Sequence, residues 1–294
     1  MRSSNMNDMY DSKWLERAIA NLQNLFPFIT VNSIGSSILG KPIHEIKVGQ
    51  GSRKIHMNAS FHANEWITTV TLMNHLYKYL YSLSTGTLIR ELNPHSIYKN
   101  TELSIVPMVN PDGVDLFFHG PPIELADEFF NMNIDKTDYI HWKANIRGID
   151  LNKQFPANWN ILKNNVPKFP GPRDYPGSSP LTEPESMAMA DLARNCSFDF
   201  LFAFHTQGEE FYWGYEGFEP QESVEMAKRL EMASGYRAVQ YVDSHGGFKD
   251  WFIQEFKRPA FTIELGRGIN PLPMSQFNEI LIKSEGIFFT ALTF

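Results

Sequence analysis

His62-Ala63-Asn64-Glu65-Trp66 follows the apolar run 55–61 and opens a stretch with helical spacing. A His and a carboxylate three residues apart, at a turn where a strand feeds a helix, can converge on one metal ion from a rigid base. The pairing points to zinc and to hydrolysis. Alone, H-x-x-E is a short pattern of common residues, and it also fits an exposed His beside a helix N-terminal Glu that favours the macrodipole. A third ligand and a base are needed.

The flanking sequence supplies a frame. Trp14, Leu15, Ala18, Ile19, Leu22 and Leu25 recur at helical spacing behind Asp11 or Ser12 as N-cap. Segments 31–39, 43–48 and 54–60 read as adjacent, partly antiparallel strands punctuated by glycines. Past the motif, Trp66, Val70, Met73, Leu76, Tyr77 and Leu80 predict a helix over 65–83. Residues 102–109 then form a strand ending in the turn signal Asn110-Pro111-Asp112-Gly113. From 110 to 180 periodicity is poor and Pro and Gly are frequent, which predicts a long irregular segment that builds a cleft. Helices over 183–194, 221–235 and 281–292 alternate with strands over 198–204 and 258–265. The order predicts an α/β fold with a mixed central β-sheet, helices on both faces, and one domain over residues 1–294.

Composition narrows the class. A chain of 294 residues with 43% hydrophobic and 14% aromatic content can bury a large core and is not disordered. A net charge of -7 without runs of like charge argues against nucleic acid or a basic membrane surface as partner. The polar start MRSSNMNDMYDSKW lacks the apolar centre of a secretory signal, and no stretch is long enough to span a bilayer. The expectation is therefore a cytoplasmic protein without membrane insertion; its oligomeric state is not legible. The single cysteine, Cys196, excludes an internal disulfide and reads as a buried packing residue.

Ala203-Phe204-His205-Thr206-Gln207-Gly208 ends a strongly apolar strand, at the sheet edge where ligand sites of open α/β sheets gather. His205 is the candidate third ligand. Glu264, in Phe261-Thr262-Ile263-Glu264-Leu265-Gly266, is an acid in an apolar strand. Burying an unpaired carboxylate costs several kcal/mol, so a partner or a function is expected, and a general base fits. His44, His56, His75, His95, His119 and His141 have no companion motif and read as surface or packing residues.

Together His62-Ala63-Asn64-Glu65-Trp66, Gly148-Ile149-Asp150-Leu151-Asn152, Phe204-His205 and Thr262-Ile263-Glu264-Leu265 resemble the zinc metallocarboxypeptidase family, in its order and across nearly the whole chain. The resemblance implies an α/β/α fold and one zinc ion held by His62, Glu65 and His205, with Glu264 as general base. Asp150 matches a residue that hydrogen-bonds the first ligating His. Lys143 or Arg147, both in Trp142-Lys143-Ala144-Asn145-Ile146-Arg147, takes the place of the family's oxyanion-stabilising Arg. Pancreatic members follow the Asn with an Arg that clamps the substrate's terminal carboxylate, but here Asn152 precedes Lys153. A Lys lacks the bidentate fork, so the usual clamp is weakened or altered. The stretch His245-Gly246-Gly247-Phe248-Lys249-Asp250-Trp251 resembles the substrate-pocket loop, with Lys249 at the position that sets side-chain preference. Tyr241 lies near the place of a mobile capping Tyr and is assigned no role.

Further stretches, including Gln154-Phe155-Pro156-Ala157 and Glu264 through Pro273, look like one bacterial branch, the γ-D-glutamyl-L-diamino acid endopeptidases that cut cell-wall peptides. The resemblance implies hydrolysis of the γ-D-glutamyl–meso-diaminopimelate bond in peptidoglycan-derived peptides, in sporulation or recycling. Lys153 and Lys249 would meet substrate carboxylates, and Glu209, Glu210 or Asp243 its amines. The competing readings are an ordinary zinc carboxypeptidase, a small-molecule amidohydrolase of the same superfamily, and a muropeptide-binding module without catalysis.

Overall fold

The computed structural model describes residues 9–133, 138–164 and 166–294. The chain opens with helix α1 (Ser12–Leu25), whose N-cap Asp11 accepts the Trp14 N–H, and continues into β1 (Thr30–Ser36), β2 (Pro42–Val48) and β3 (Arg53–Ala59). Then come α2 (Ile67–Thr85), α3 (Pro94–Asn100), β4 (Thr101–Val106), α4 (Pro111–His119), α5 (Ala126–Met132) and α6 (Trp159–Asn164). The second half contributes α7 (Pro184–Cys196), β5 (Phe200–Thr206), β6 (Glu210–Tyr212), α8 (Gln221–Ser234), β7 (Arg237–Val239), α9 (Phe248–Phe256), β8 (Ala260–Leu265) and α10 (Phe277–Thr293).

Among the described residues, eight strands join one mixed sheet in the order β1-β2-β4-β3-β5-β8-β6-β7. The centre, β4-β3-β5-β8, is parallel, while β1, β2 and β6 enter antiparallel. Strands β1, β2 and β3 are therefore not all adjacent, because β4 separates β2 from β3. A parallel neighbour needs a crossover, and α2 with α3 supplies it.

Alternation along β5 explains the layers. Phe200, Phe202 and Phe204 point into a core shared with α1, α2, α8 and α10, while Leu201 and Ala203 pack on the opposite face with α7 and α9. Successive strand residues face opposite sides. Helices thus cover both faces, as the sequence predicts.

After β3 the chain crosses to β4 on one side, and β5 later joins β3 on the other. The reversal creates a crevice outside the carboxyl ends of β3 and β5, the place where open α/β sheets bind ligands. His62 and Glu65 follow β3, and His205 lies near the end of β5.

The segment expected to be irregular is partly helical. Asn110-Pro111-Asp112-Gly113 is the start of α4 and not a turn: the Asn110 side chain accepts the Gly113 N–H at 2.9 Å, with Pro111 in the first helical turn. Cys196 is half-buried at the end of α7 rather than fully buried, and its packing and burial raise its pKa. Among the described residues no helix is long and apolar enough to cross a membrane.

Candidate metal centre and its cleft

The turn after β3 is fixed by backbone hydrogen bonds before any ligand is considered. The Ala63 N–H donates to Lys143 O at 3.0 Å and the Asn64 N–H to Trp142 O at 3.1 Å. Residues 63–65 wind as one 3-10 turn with His62 as its N-cap, which brings His62 and Glu65 to the same side. His62, Glu65 and His205 are all buried, and one ligand atom from each lies within 4.8 Å of the others.

The contacts are tighter than that limit. His62 Nδ1 is 3.0 Å from Glu65 Oε1 and 3.3 Å from His205 Nδ1, and His205 Nδ1 is 3.1 Å from Glu65 Oε2. Ligand atoms on a tetrahedral zinc with bonds of about 2.0–2.1 Å sit about 3.3 Å apart. Two ring nitrogens that face each other cannot both carry a proton, whereas one dication would satisfy both and the carboxylate. The donor set of two imidazoles and one carboxylate fits zinc.

Neighbouring groups orient the set. Asp150 Oδ1 lies 3.2 Å from His62 Nε2, which directs Nδ1 at the cluster. Lys143 Nζ donates to Glu65 Oε1 at 2.7 Å, as does Asn270 Nδ2 at 3.1 Å, and the Thr206 N–H donates to Oε2 at 3.2 Å. Burial alone would raise the Glu65 carboxyl, yet the charges of His62 and Lys143 hold it well below its ordinary value. Burial likewise opposes ionisation of Asp150, and His62 overcomes it. On His62 the same contest ends the other way round for a cation: burial lowers its pKa, and Glu65 and Asp150 carry it up to about 9.

Glu264 stands beside His205 in the parallel register of β5 and β8, on the same face by alternation. Burial, then the charge of Glu65, raises its pKa to about 8, while Lys143 pulls it down. A bound dication acts in the same sense as Lys143 and favours the carboxylate. Glu264 borders a cavity of about 310 Å³ together with Asn64, His141, Lys143, Arg173, Tyr212 and Asn270. A larger cavity of about 940 Å³ lies at the amino ends of β3, β5 and β8, beside Arg53, Asp199 and Arg258, away from this chemistry.

The remaining sequence candidates fall in different places. Of the two alternative cations, Lys143 reaches the cluster, whereas Arg147 is 55% exposed and turns to Glu183 at 3.7 Å. Asn152 Oδ1 accepts the Phe248 N–H at 3.0 Å and so ties the turn after Asp150 to the start of α9. Lys153 Nζ is 3.8 Å from Asp174, and His245 Nδ1 is 3.0 Å from the Tyr215 hydroxyl.

Lys249 is buried; its Nζ donates to Gly214 O at 2.8 Å and pairs with Asp250 at 2.6 Å. Its charge is therefore already balanced. Glu209 and Glu210 are also engaged, the first by Arg267 and Lys283, the second by Arg237 and Tyr212. Both carboxylates, read from the sequence as candidates to meet substrate amines, are thus already paired within the chain.

Three contributors were given no part in the site by the sequence reading. Asn270 bonds Glu65, and it also accepts the Thr206 hydroxyl at 2.7 Å and donates to Thr206 O at 2.9 Å. Its signal was its place six residues after Glu264, inside the stretch 264–273 that resembles the endopeptidase branch, where no role was read for it. Arg173 and His141 reach the cavity from the loop region, where no local pattern marks them.

The zinc carboxypeptidase family model matches residues 15–282. The chain is 49% identical over 285 residues to γ-D-glutamyl-L-diamino acid endopeptidase 1 of Lysinibacillus sphaericus, covering 96% of this chain and 72% of that protein. It is 47% identical over 292 residues to the uncharacterised protein YqgT of Bacillus subtilis, covering 97% and 78%. Bovine thrombin-activatable fibrinolysis inhibitor superposes with a TM-score of 0.75 over 99% of this chain and 98% of that one, a likeness of fold at 19% identity. A match over most of the chain, with a donor set suited to zinc at the crevice of the sheet, places the protein in the zinc carboxypeptidase family of metallopeptidases.

Proposed function

We propose that the protein hydrolyses the bond between a γ-D-glutamyl residue and a diamino acid such as meso-diaminopimelate in peptides derived from peptidoglycan. The observation that carries the substrate class is the 49% identity, over 96% of this chain, with an endopeptidase named for that linkage. Residues 1–294 act as one catalytic domain in this reading, a view supported by the single sheet that draws strands from both halves of the chain. We also propose a cytoplasmic location; a chain with one cysteine needs no oxidising compartment.

His62, Glu65 and His205 would hold the zinc, which when bound supplies Lewis acidity toward a carbonyl and toward water. Glu264 accepts a proton from the attacking water and returns it to the leaving amine. Lys143 has three N–H donors and gives one to Glu65, so others remain for the oxygen that gains negative charge on the substrate. Asp150 holds the His62 ring in one tautomer.

Asn152 and Lys153 follow Asp150 on the 3-10 turn Leu151–Lys153 and are assigned to the leaving diamino acid half. His245 would border that half, and Lys249, balanced by Asp250, would shape its pocket rather than add free charge. Arg147, occupied by Glu183, receives no part in the reaction.

The test incubates the purified protein with L-Ala-γ-D-Glu-meso-diaminopimelate and with an ordinary α-linked peptide, with and without a chelator. Release of diaminopimelate that stops with chelator supports the proposal. Trimming of the ordinary peptide alone would establish a plain carboxypeptidase, and binding without cleavage a non-catalytic muropeptide module.

A further inference from the structure

Lys153 has an unexpected neighbour. Asp174 receives Lys153 Nζ at 3.8 Å on one oxygen and Arg173 Nε at 2.9 Å on the other, so two cations flank one carboxylate. The Asp174 N–H in turn donates to Asp150 Oδ2 at 3.3 Å, and Asp150 orients His62. The pair of cations is thereby tied to the metal cluster through a single acid.

The loop that carries Arg173 is firmly seated. The N–H groups of Lys143 and Ala144 both donate to Pro172 O, at 2.8 and 3.0 Å, and the Asp150 N–H donates to Tyr175 O at 2.8 Å. Gly148 adopts φ +69°, and a Cβ there would come within 2.7 Å of the Gly171 nitrogen, so only glycine permits this approach. The segment thus runs against the strip holding Lys143 and Asp150.

The two cations point to different places. Arg173 lines the cavity with Lys143 and Glu264, whereas Lys153 does not line it. The ion pair of Arg173 uses Nε, its side chain is 59% exposed, and no other partner is found among the described residues. Its terminal N–H groups remain available as a fork for a carboxylate.

We infer that Arg173 is a specificity-determining residue that binds the free α-carboxylate of the γ-linked glutamyl residue, on the acyl side of the scissile bond. The inference rests on the substrate proposed above. A γ-linkage leaves the α-carboxylate free, four bonds from the reacting carbonyl carbon, whereas an α-linkage consumes it. With Lys153 assigned to the leaving half, the cation that shares a cavity with Lys143 and Glu264 falls to the acyl half. An Arg there would separate γ-linked glutamyl substrates from α-linked residues without a side-chain carboxylate by charge, and from α-linked glutamyl, whose free γ-carboxylate is also four bonds from its carbonyl carbon, by shape alone.

The test measures kcat/KM for L-Ala-γ-D-Glu-meso-diaminopimelate and for the same tripeptide with the glutamyl α-carboxylate converted to the carboxamide. The wild type is expected to favour the carboxylate by about 10–100-fold, the range of a charge-assisted bidentate contact. Arg173→Ala should bring that ratio close to one, and Arg173→Lys should retain part of it. A wild type that cuts neither tripeptide removes the substrate proposal and this inference with it. If the wild type cuts the tripeptide but Arg173→Ala leaves the ratio unchanged, or lowers both rates equally, Arg173 does not read the α-carboxylate while the substrate stands.

Discussion

At the scale of single residues, acid groups near the cluster are set in opposite states by their surroundings. Glu65 is held ionised by His62, Lys143 and its hydrogen bonds, whereas Glu264 has its pKa raised to about 8 and faces the cavity. One is suited to hold a metal ion and the other to exchange a proton. Glu264→Gln keeps the size of the side chain and removes the base, so activity should fall by about 10²–10⁴-fold while zinc content, measured by metal analysis, stays at one per chain. Retained turnover would remove Glu264 from the proton path. Asp150→Asn tests the other partnership, because an amide cannot accept as strongly from His62 Nε2 and invites the wrong tautomer. Zinc affinity should weaken by about 10–100-fold, read by competition with a chromophoric chelator. An unchanged affinity would reduce Asp150 to the cap of its turn, where it also accepts the Asn152 N–H at 3.1 Å.

At the scale of elements, the long periodic helices and apolar strands were legible because each buries a regular face. The pattern 66–80 predicts α2 within two residues at each end, and the spacing 14–25 predicts α1 with its cap. Pairing partners were less legible: nothing in β2 or β3 announces that β4 lies between them, since periodicity fixes a face and not a neighbour. The strands β6 and β7 have three residues each, too few for a period to show. Asn110-Pro111 misled because the same residues that build turns also begin helices. The candidate metal ligands could be read from local motifs, whereas the contacts that bring Asn270 and Arg173 to the site are made by tertiary packing.

Helix α7 carries a prediction of its own. Glu185 in its first turn is fully buried, with Oε1 accepting the Ile38 N–H at 3.2 Å and Oε2 without a partner among the described residues. Burial, aided by Asp112 and Glu183, raises its pKa from 4.5 to about 7. A carboxyl whose folded pKa lies above its unfolded value favours the fold when protonated. Its ionisation therefore removes stability as pH rises from about 4.5 to 7, by about 3 kcal/mol in full. Glu185→Gln has no such ionisation, so its stability relative to wild type should increase across that window and level off above it. Urea unfolding at pH 5, 6, 7 and 8 measures the difference; parallel profiles for the two proteins would show that Glu185 keeps an ordinary pKa.

At the scale of the whole molecule, the metal cluster ties parts of the chain that the sheet alone joins only through backbone hydrogen bonds. His62 and Glu65 lie at the end of β3 and His205 near the end of β5, neighbours in the sheet but more than a hundred residues apart in sequence. The unfolded chain cannot assemble all three donors, so zinc binds the folded state preferentially and stabilises it by mass action. With free zinc at a hundred times its dissociation constant the gain is about 2.7 kcal/mol. In a domain of this size each kcal/mol moves the midpoint by roughly 2–4 °C, so a chelator should lower Tm by about 5–10 °C at neutral pH. Asp150→Asn, with a weaker site, should show a smaller drop at the same free zinc. His205→Ala should melt at one temperature with or without chelator, because two donors no longer hold the ion against water. Equal melting of the wild type in zinc and in chelator would mean that the cluster is held together by Lys143, Asn270 and Asp150 alone.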